Sequence, residues 1–202
     1  MLFRSDATPR WLRASCEKSL MDLGTESIFL YQLHAPDPAV PITESVGELA
    51  RLQQEGKIRH IGLSNVNTKE IMAALTVAPI LSVQNRCNVL EKKSFKNGVV
   101  DLCAKEGITF IPHSPVGGYF EHSRLAANRH IKKIADAQGV SSYQIALAWL
   151  LHQGEHVVTI PGTTKRYRFD ENLAANQVVL TAREIAFLDE NLPVGAAVGE
   201  RY

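Results

Sequence analysis

The sequence predicts an α/β fold built from parallel strand–helix–strand units, and three observations carry that prediction. Short apolar runs alternate with stretches whose apolar residues keep helical spacing, at intervals of about 25 to 45 residues. The apolar runs end abruptly in small or hydrogen-bonding residues. Across 202 residues, 45% hydrophobic and 21% charged, there is no internal repeat, low-complexity tract or linker, so residues 1–202 read as one globular domain.

The elements follow in order. Thr8-Pro9 ahead of Leu12, Cys16, Leu20 and Leu23 predicts a capped amphipathic helix that Gly24 closes. "IFLYQLH", within 27–34, predicts a strand, and "APDP" the loop after it. From 43 to 55, Val46, Leu49 and Leu52 keep helical spacing until Gly56. "HIGLSN" (60–65) predicts a strand, 68–75 a short helix, and "ILSVQNR" (80–86) a third strand. Phe95, Val99 and Leu102 predict a helix over 94–105, stopped at Gly107, and "ITFIPHS" (108–114) a fourth strand. A Gly-rich loop leads to helices over 124–138 and 142–152. "HVVTIPGTT" (156–164) predicts a fifth strand, with a helix starting near Arg168. Thr181 with Glu184 forms a capping box for a last helix that Pro193 stops.

Charge and cysteine content narrow the classes of function. With 22 basic and 21 acidic side chains the net charge is +1, so no bulk field favours nucleic acid or an anionic membrane. Cys16, Cys87 and Cys103 form no CxxC pair, as expected of a reduced intracellular chain. The opening MLFRSDATPR has no apolar signal core, and no run approaches the roughly 20 apolar residues that span a bilayer. The expected location is the cytoplasm.

The strand ends point to a site. They carry His34; Ser64 and Asn65; Gln84 and Asn85; His113 and Ser114; Gly162 and Thr163. In a parallel sheet such ends share one edge. Ligands bind at that edge both in the (β/α)8 barrel and in the doubly wound sheet. No GxGxxG follows a strand, and no GxxxxGK[ST] is present. In "IPGTTKRYRFDEN" (160–172) a predicted strand runs through Gly-Thr-Thr into a helix. Backbone N–H groups and hydroxyls there suit an anion, and Lys165, Arg166 and Arg168 add positive charge. A phosphate site after the last strands favours the barrel.

Taken together, "WLRASCEKSL", "GKIRHIGLSN", "SVQNR", "IPHSP", "IPGTT", "ENLAAN" and the closing "GERY" resemble the aldo-keto reductase family across essentially the whole chain. The resemblance implies a (β/α)8 TIM-type barrel that uses NADPH, with NADH possible, to reduce aldehydes and ketones to alcohols. It implies that His34 hydrogen-bonds and orients the carbonyl oxygen, a role suited to an imidazole N–H. Ser64, Asn65 and Gln84 match the residues that hold the nicotinamide carboxamide, which needs donors and acceptors together. His113 stands where the family stacks an aromatic ring on the nicotinamide. Ser114, Val116 and Gly117 match the pyrophosphate loop. Gly162, Thr163, Thr164 and Lys165 match the turn beside the 2'-phosphate. Arg168 corresponds to the arginine at the 2'-phosphate or adenine, and Glu171 and Asn172 to the adenine contacts.

Two departures qualify the resemblance. Gly162 stands where many members carry a phosphate-binding lysine, so Thr163, Lys165 and Arg166 are left to compensate. The family's proton-donating tyrosine, with its lysine and aspartate, falls upstream of the matched residues. None of Tyr31, Tyr119, Tyr143, Tyr167 or Tyr202 matches it, and Tyr31 has the opposite strand parity to His34. The chain is thus expected to supply barrel strands four to eight, without the first three βα units. Taken alone, it is expected to be incomplete for catalysis and to self-associate through open sheet edges. Two alternatives stand beside the reductase. One is a non-catalytic nucleotide-binding product or non-functional fragment. The other is a metal-dependent hydrolase using His34, His113 and Cys87, although no HxH or HExxH spacing supports a metal. His60, His122, His130, His152 and His156 read as surface or core imidazoles.

Overall fold

A computed structural model of the chain describes residues 5–192; Pro193 and the closing GERY lie outside them. The described residues form two compact units: one of residues 5–85 with Asp101–Thr109, the other of Arg86–Val100 with residues 110–192.

In the first unit, α1 (Pro9–Leu23) starts as the sequence dictates. The Thr8 hydroxyl accepts from Trp11 N–H, Pro9 occupies the first turn, and Gly24 takes φ +62° at the C-terminus. β1 (Ile28–Leu33) leads to α2 (Ile42–Gln54), whose Val46, Leu49 and Leu52 are all fully buried. β2 (Ile58–Ser64) is followed by α3 (Thr68–Leu75), opened by an Asn67–Glu70 capping box, and by β3 (Ile80–Arg86). β1 pairs parallel with β2, and β2 with β3. Ile61 and Leu63 of β2 are buried beside Leu33 of β1, their register partner at 63. Arg13 on α1 joins Glu48 (2.7 Å) and Glu55 (2.6 Å) of the α2 segment, while Lys57 takes Glu17 (2.7 Å) and Glu55 (2.9 Å).

Past β3, the helix expected over 94–105 is two: α4 (Lys93–Lys96) and α5 (Val99–Glu106). Asn97 and Gly98, the latter at φ +77°, break it. β4 (Thr109–His113) is the next strand along the chain. The second unit then adds α6 (Gly118–Ala126), α7 (Arg129–Gln138) and α8 (Ser142–Leu151). The helix expected over 124–138 is therefore divided as well. Asn128 accepts from His130 and Ile131 N–H and so starts a new helix rather than continuing the old one. α9 (Arg166–Ala174), a 3-10 turn (Ala175–Gln177) and α10 (Ala182–Asn191), with the Thr181–Glu184 capping box, follow.

The fifth strand is a correction. Residues 156–164 form a single parallel bridge, Phe110 with Val157, through Phe110 N–H to His156 O (2.8 Å) and Val158 N–H to Phe110 O (3.0 Å). Pro161 has no N–H to donate, and beyond Val158 the chain leaves the ladder. Gly162 and Thr163 thus sit in an irregular segment rather than on a strand end. Among the described residues, no helix is long and apolar enough to cross a membrane.

Candidate cofactor and substrate site

The ends of β1, β2 and β3 are tied together through Asn65. Its backbone N–H donates to Gln84 O (3.0 Å), and its Nδ2 donates to His34 O (2.9 Å) and Ser64 Oγ (3.2 Å). Asn65 holds φ +58°, a left-handed conformation that side-chain-bearing residues rarely take. Next along the chain, Asn85 clamps Val66, accepting from its N–H (3.0 Å) and donating to its carbonyl (2.7 Å). The four residues His34, Ser64, Asn65 and Gln84 chosen from sequence are thereby brought to one edge of the first unit. Ser64 is buried, Asn65 and Gln84 are half-buried, and His34 is exposed. A cavity of about 580 Å³ opens beside His34 and Asn65, with Pro36, Pro38, Val40 and Ile42 among its walls. It is an apolar recess with an imidazole at its rim.

Tyr31 reaches α1, where burial and Cys16 raise its pKa while a hydrogen bond with Ser19 opposes them. The parity expectation fits that placement.

A second site forms within the second unit. After β4 the chain turns sharply: Ser114 (φ +55°), Gly117 (φ +90°) and Gly118 (φ +61°) are all left-handed. Gly117 N–H donates to Ser114 O (2.9 Å), and Asn88 Nδ2 donates to the same carbonyl (3.0 Å). A Cβ at 117 would stand 2.7 Å from the backbone of Glu121, so only glycine lets the turn fold against α6. Glu121 in turn pairs with Arg86 at the end of β3 (2.9 Å), both largely buried.

Beside this turn lies a cavity of about 390 Å³. It gathers Ser114, Val116, Gly162, Thr163, Arg168, Glu171 and Asn172 from the residues chosen by sequence. His113, Gly117, Thr164 and Lys165 are not on its wall. Lys165 instead caps α9 by position, its N–H donating to Thr163 Oγ1 (3.1 Å). Arg168 is exposed, with Nε donating to the Tyr167 hydroxyl (3.2 Å). Two wall residues escaped the sequence reading. His122 is tied to Gly118 O at 3.1 Å, and Tyr143 comes from the first turn of α8. The Ser141–Gln144 capping box fixes the start of α8 and was the available signal for Tyr143.

Burial holds the Cys87 thiol well above its ordinary range and pushes Cys103 up to about 12, so neither is an ionised thiolate near neutral pH. Among the described residues, no group of three or more His, Cys, Asp or Glu side chains is arranged to hold a metal ion.

Parallel β/α units with hydrogen-bonding residues at the strand ends define a class of parallel α/β protein. The chain belongs to the aldo/keto reductase family, whose family model matches residues 3–192. It is 35% identical to the soybean (Glycine max) protein named Probable aldo-keto reductase 1, over 98% of this chain and 64% of that one. It is similar in structure to a thermostable aldo-keto reductase crystallised with the inhibitor epalrestat (31% identity, TM-score 0.84, 91% of this chain and 67% of that chain). It is also similar to an aldo-keto reductase from Klebsiella pneumoniae in complex with NADPH (27% identity, TM-score 0.80, 89% and 63%). The chain thus spans 64% of the length of the soybean relative.

Proposed function

We propose that this chain carries the cofactor-binding residues and the carbonyl-orienting histidine of an NADPH-dependent aldo-keto reductase acting on aldehydes and ketones. The observation that carries the proposal is the cavity joining the left-handed turn at Ser114 to Gly162, Thr163, Arg168, Glu171 and Asn172. Such a cradle fits a dinucleotide. Left-handed glycines at 117 and 118 allow close approach of backbone to phosphate, and Arg168 offers planar, charged donors to a 2'-phosphate. With Gly162 lacking a side chain and Lys165 off the wall, the 2'-phosphate falls to Thr163 and Arg168. Glu171 and Asn172 supply acceptors and a donor for the adenine edge, and His113 lies against the nicotinamide.

When bound, the dihydronicotinamide supplies the hydride. Ser64, Asn65 and Gln84 hold its carboxamide, and Asn65 ties their strand ends to the backbone of His34. The His34 imidazole donates toward the carbonyl oxygen, and the largely apolar recess beside it offers room for the substrate. Proton delivery is not assigned to Tyr31. A tyrosine that protonates an alkoxide near neutral pH needs a lowered pKa, and Tyr31 is shifted the other way. The 202 residues bind cofactor and orient carbonyl, as barrel strands four to eight of a single domain, and the residue that gives the proton is not Tyr31.

Cofactor titrations of the Arg168→Ala chain test the proposal. NADPH should bind about ten-fold more weakly while NADH changes little, the expectation for one lost charge-assisted contact. Equal losses for both cofactors would place Arg168 on adenine alone and remove the NADPH preference.

A further inference from the structure

One face of β1–β3 carries a chain of amides that jumps a strand. Gln32 of β1 donates from Nε2 to Ser82 Oγ of β3 (3.0 Å), and its Oε1 accepts from Gln84 Nε2, also of β3 (3.0 Å). β1 and β3 are not neighbours, because β2 runs between them. The bridge crosses at Gly62, which is in register with Gln32 on one side and Ser82 on the other. A Cβ at 62 would stand 2.5 Å from Ser82 Oγ and 2.7 Å from Gln32 Cγ, inside any real contact distance. The missing side chain on β2 is what lets the two strands touch.

This chain of bonds has a direction. An amide offers an NH2 donor at one end and a carbonyl acceptor at the other, and the two ends differ little in size. Here the NH2 of Gln32 is committed to Ser82 and the NH2 of Gln84 to Gln32. Gln84 keeps its carbonyl oxygen, beside a second N–H, to offer a ligand, and that acceptor suits the NH2 of a carboxamide.

We propose that Gln32 is a positioning residue that fixes the amide orientation of Gln84, so that Gln84 Oε1 accepts from the nicotinamide carboxamide of the bound cofactor. That role rests on Gln84 meeting the nicotinamide, as proposed above. Without the acceptor at 32, the Gln84 amide turns over and presents its NH2 to the ligand NH2 for part of the time.

Two probes separate orientation from general damage. NADPH and 2'-phospho-ADP-ribose share the adenosine, the pyrophosphate and the second ribose, and only NADPH carries nicotinamide. Their dissociation constants are measured by titration calorimetry with the full chain and with Gln32→Met, Gln32→Glu and Gln84→Met. Methionine keeps the length and removes the acceptor, whereas glutamate keeps it. Gln32→Met should weaken NADPH about five-fold, the scale of one neutral hydrogen bond, and leave 2'-phospho-ADP-ribose unchanged. Gln84→Met should show the same selective loss, and Gln32→Glu should stay within about two-fold of the parent for NADPH. Unchanged NADPH binding in Gln32→Met, or an equal loss of both ligands, overturns the positioning role. So does a Gln32→Glu chain as weak as Gln84→Met, which decides alone if Gln32→Met fails to fold. Should Gln84→Met also spare NADPH, the contact between Gln84 and nicotinamide falls, and the positioning role falls with it. A selective Gln84→Met beside a silent Gln32→Met removes the positioning role only.

Discussion

Asp189 on α10 is half exposed, yet its Oδ1 serves two buried donors: Lys92 Nζ at 2.7 Å and Trp149 Nε1 at 3.1 Å. The Lys92 side chain is 7% exposed and stands over the Trp149 ring at 4.8 Å; Nζ also reaches Leu188 O at 3.4 Å. Trp149 is buried and meets Phe95 edge to face at 5.4 Å. Asp189→Ala therefore strands one buried ammonium and one buried indole N–H at once. Stripping a partner from a fully buried ion pair costs about 3–5 kcal/mol, and an unpaired buried N–H about 1–3 kcal/mol. Water replaces part of a carboxylate that is 48% exposed, which brings the expected loss to the low end, about 2 kcal/mol. Lys92→Met removes the charge, keeps the volume and leaves Trp149 its acceptor, so it should cost less than about 1 kcal/mol. Urea unfolding followed by tryptophan fluorescence measures both. At a slope of about 2 kcal/mol/M the Asp189→Ala midpoint should fall by about 1 M. In the double variant the two losses should not add, because one interaction is removed twice. A shift of less than about 0.25 M for Asp189→Ala, or an equal shift for Lys92→Met, would refute the view that this carboxylate matters by satisfying buried donors.

Two further outcomes follow from the first unit. Gly62→Ala should destabilise by about 1–3 kcal/mol, because its Cβ, 2.5 Å from Ser82 Oγ, forces Gln32 and Ser82 apart; a melting temperature equal to the parent's would contradict it. Glu55, beside Arg13 and Lys57, has its carboxyl lowered from 4.5 to about 2. Its stabilising contribution is therefore complete above about pH 4.5 and lost as pH falls toward 2. Glu55→Gln should flatten the stability profile in that window, an effect that salt weakens at so exposed a site, and an unaltered acid limb would count against the pairing.

Where the sequence spoke through local chemistry, the structure agrees with it. Thr8-Pro9, Gly24 and the Thr181–Glu184 box each set a helix end by bonds between near neighbours, and each is found in place. Strand 80–86 is found at the same residues because its apolar run is bounded by Pro79 and the polar Arg86. The errors arose where two weak signals competed. Apolar spacing across 94–105 and 124–138 looked continuous, and the break came from Gly98 in one case and Asn128 in the other. Strand 156–164 had the right composition, but strand identity depends on a partner's backbone, which composition does not report. The bridge from Gln32 to Gln84 was hidden for the same reason. Glutamine on a strand gives no hint of a contact about fifty positions away, and only the register that sets Gly62 between Gln32 and Ser82 makes it possible.

The backbone itself marks the residues on which cofactor binding is proposed to depend. Among the described residues, Asn65 and Ser114 are the non-glycine residues with positive φ, and each directly follows a strand end. A non-glycine residue in the left-handed region costs of order 1–3 kcal/mol unless its surroundings hold it. Both are held. Asn65 has its N–H on Gln84 O and its side chain on His34 O and Ser64 Oγ, three bonds that an alanine would reduce to one. The Ser114 carbonyl receives Asn88 Nδ2 and Gly117 N–H, neither of which depends on the Ser114 side chain. The two sites therefore differ in what supports them. Asn65 carries its own support, being one of the few residue types that tolerate this backbone and also able to tie three strand ends together. At Ser114 the support comes from Asn88 and Gly117, while the serine hydroxyl lies 3.2 Å from His113 Nδ1 and the residue lines the candidate cavity. Strain at both places is offset by bonds that fix the strand ends where the ligand is proposed to lie.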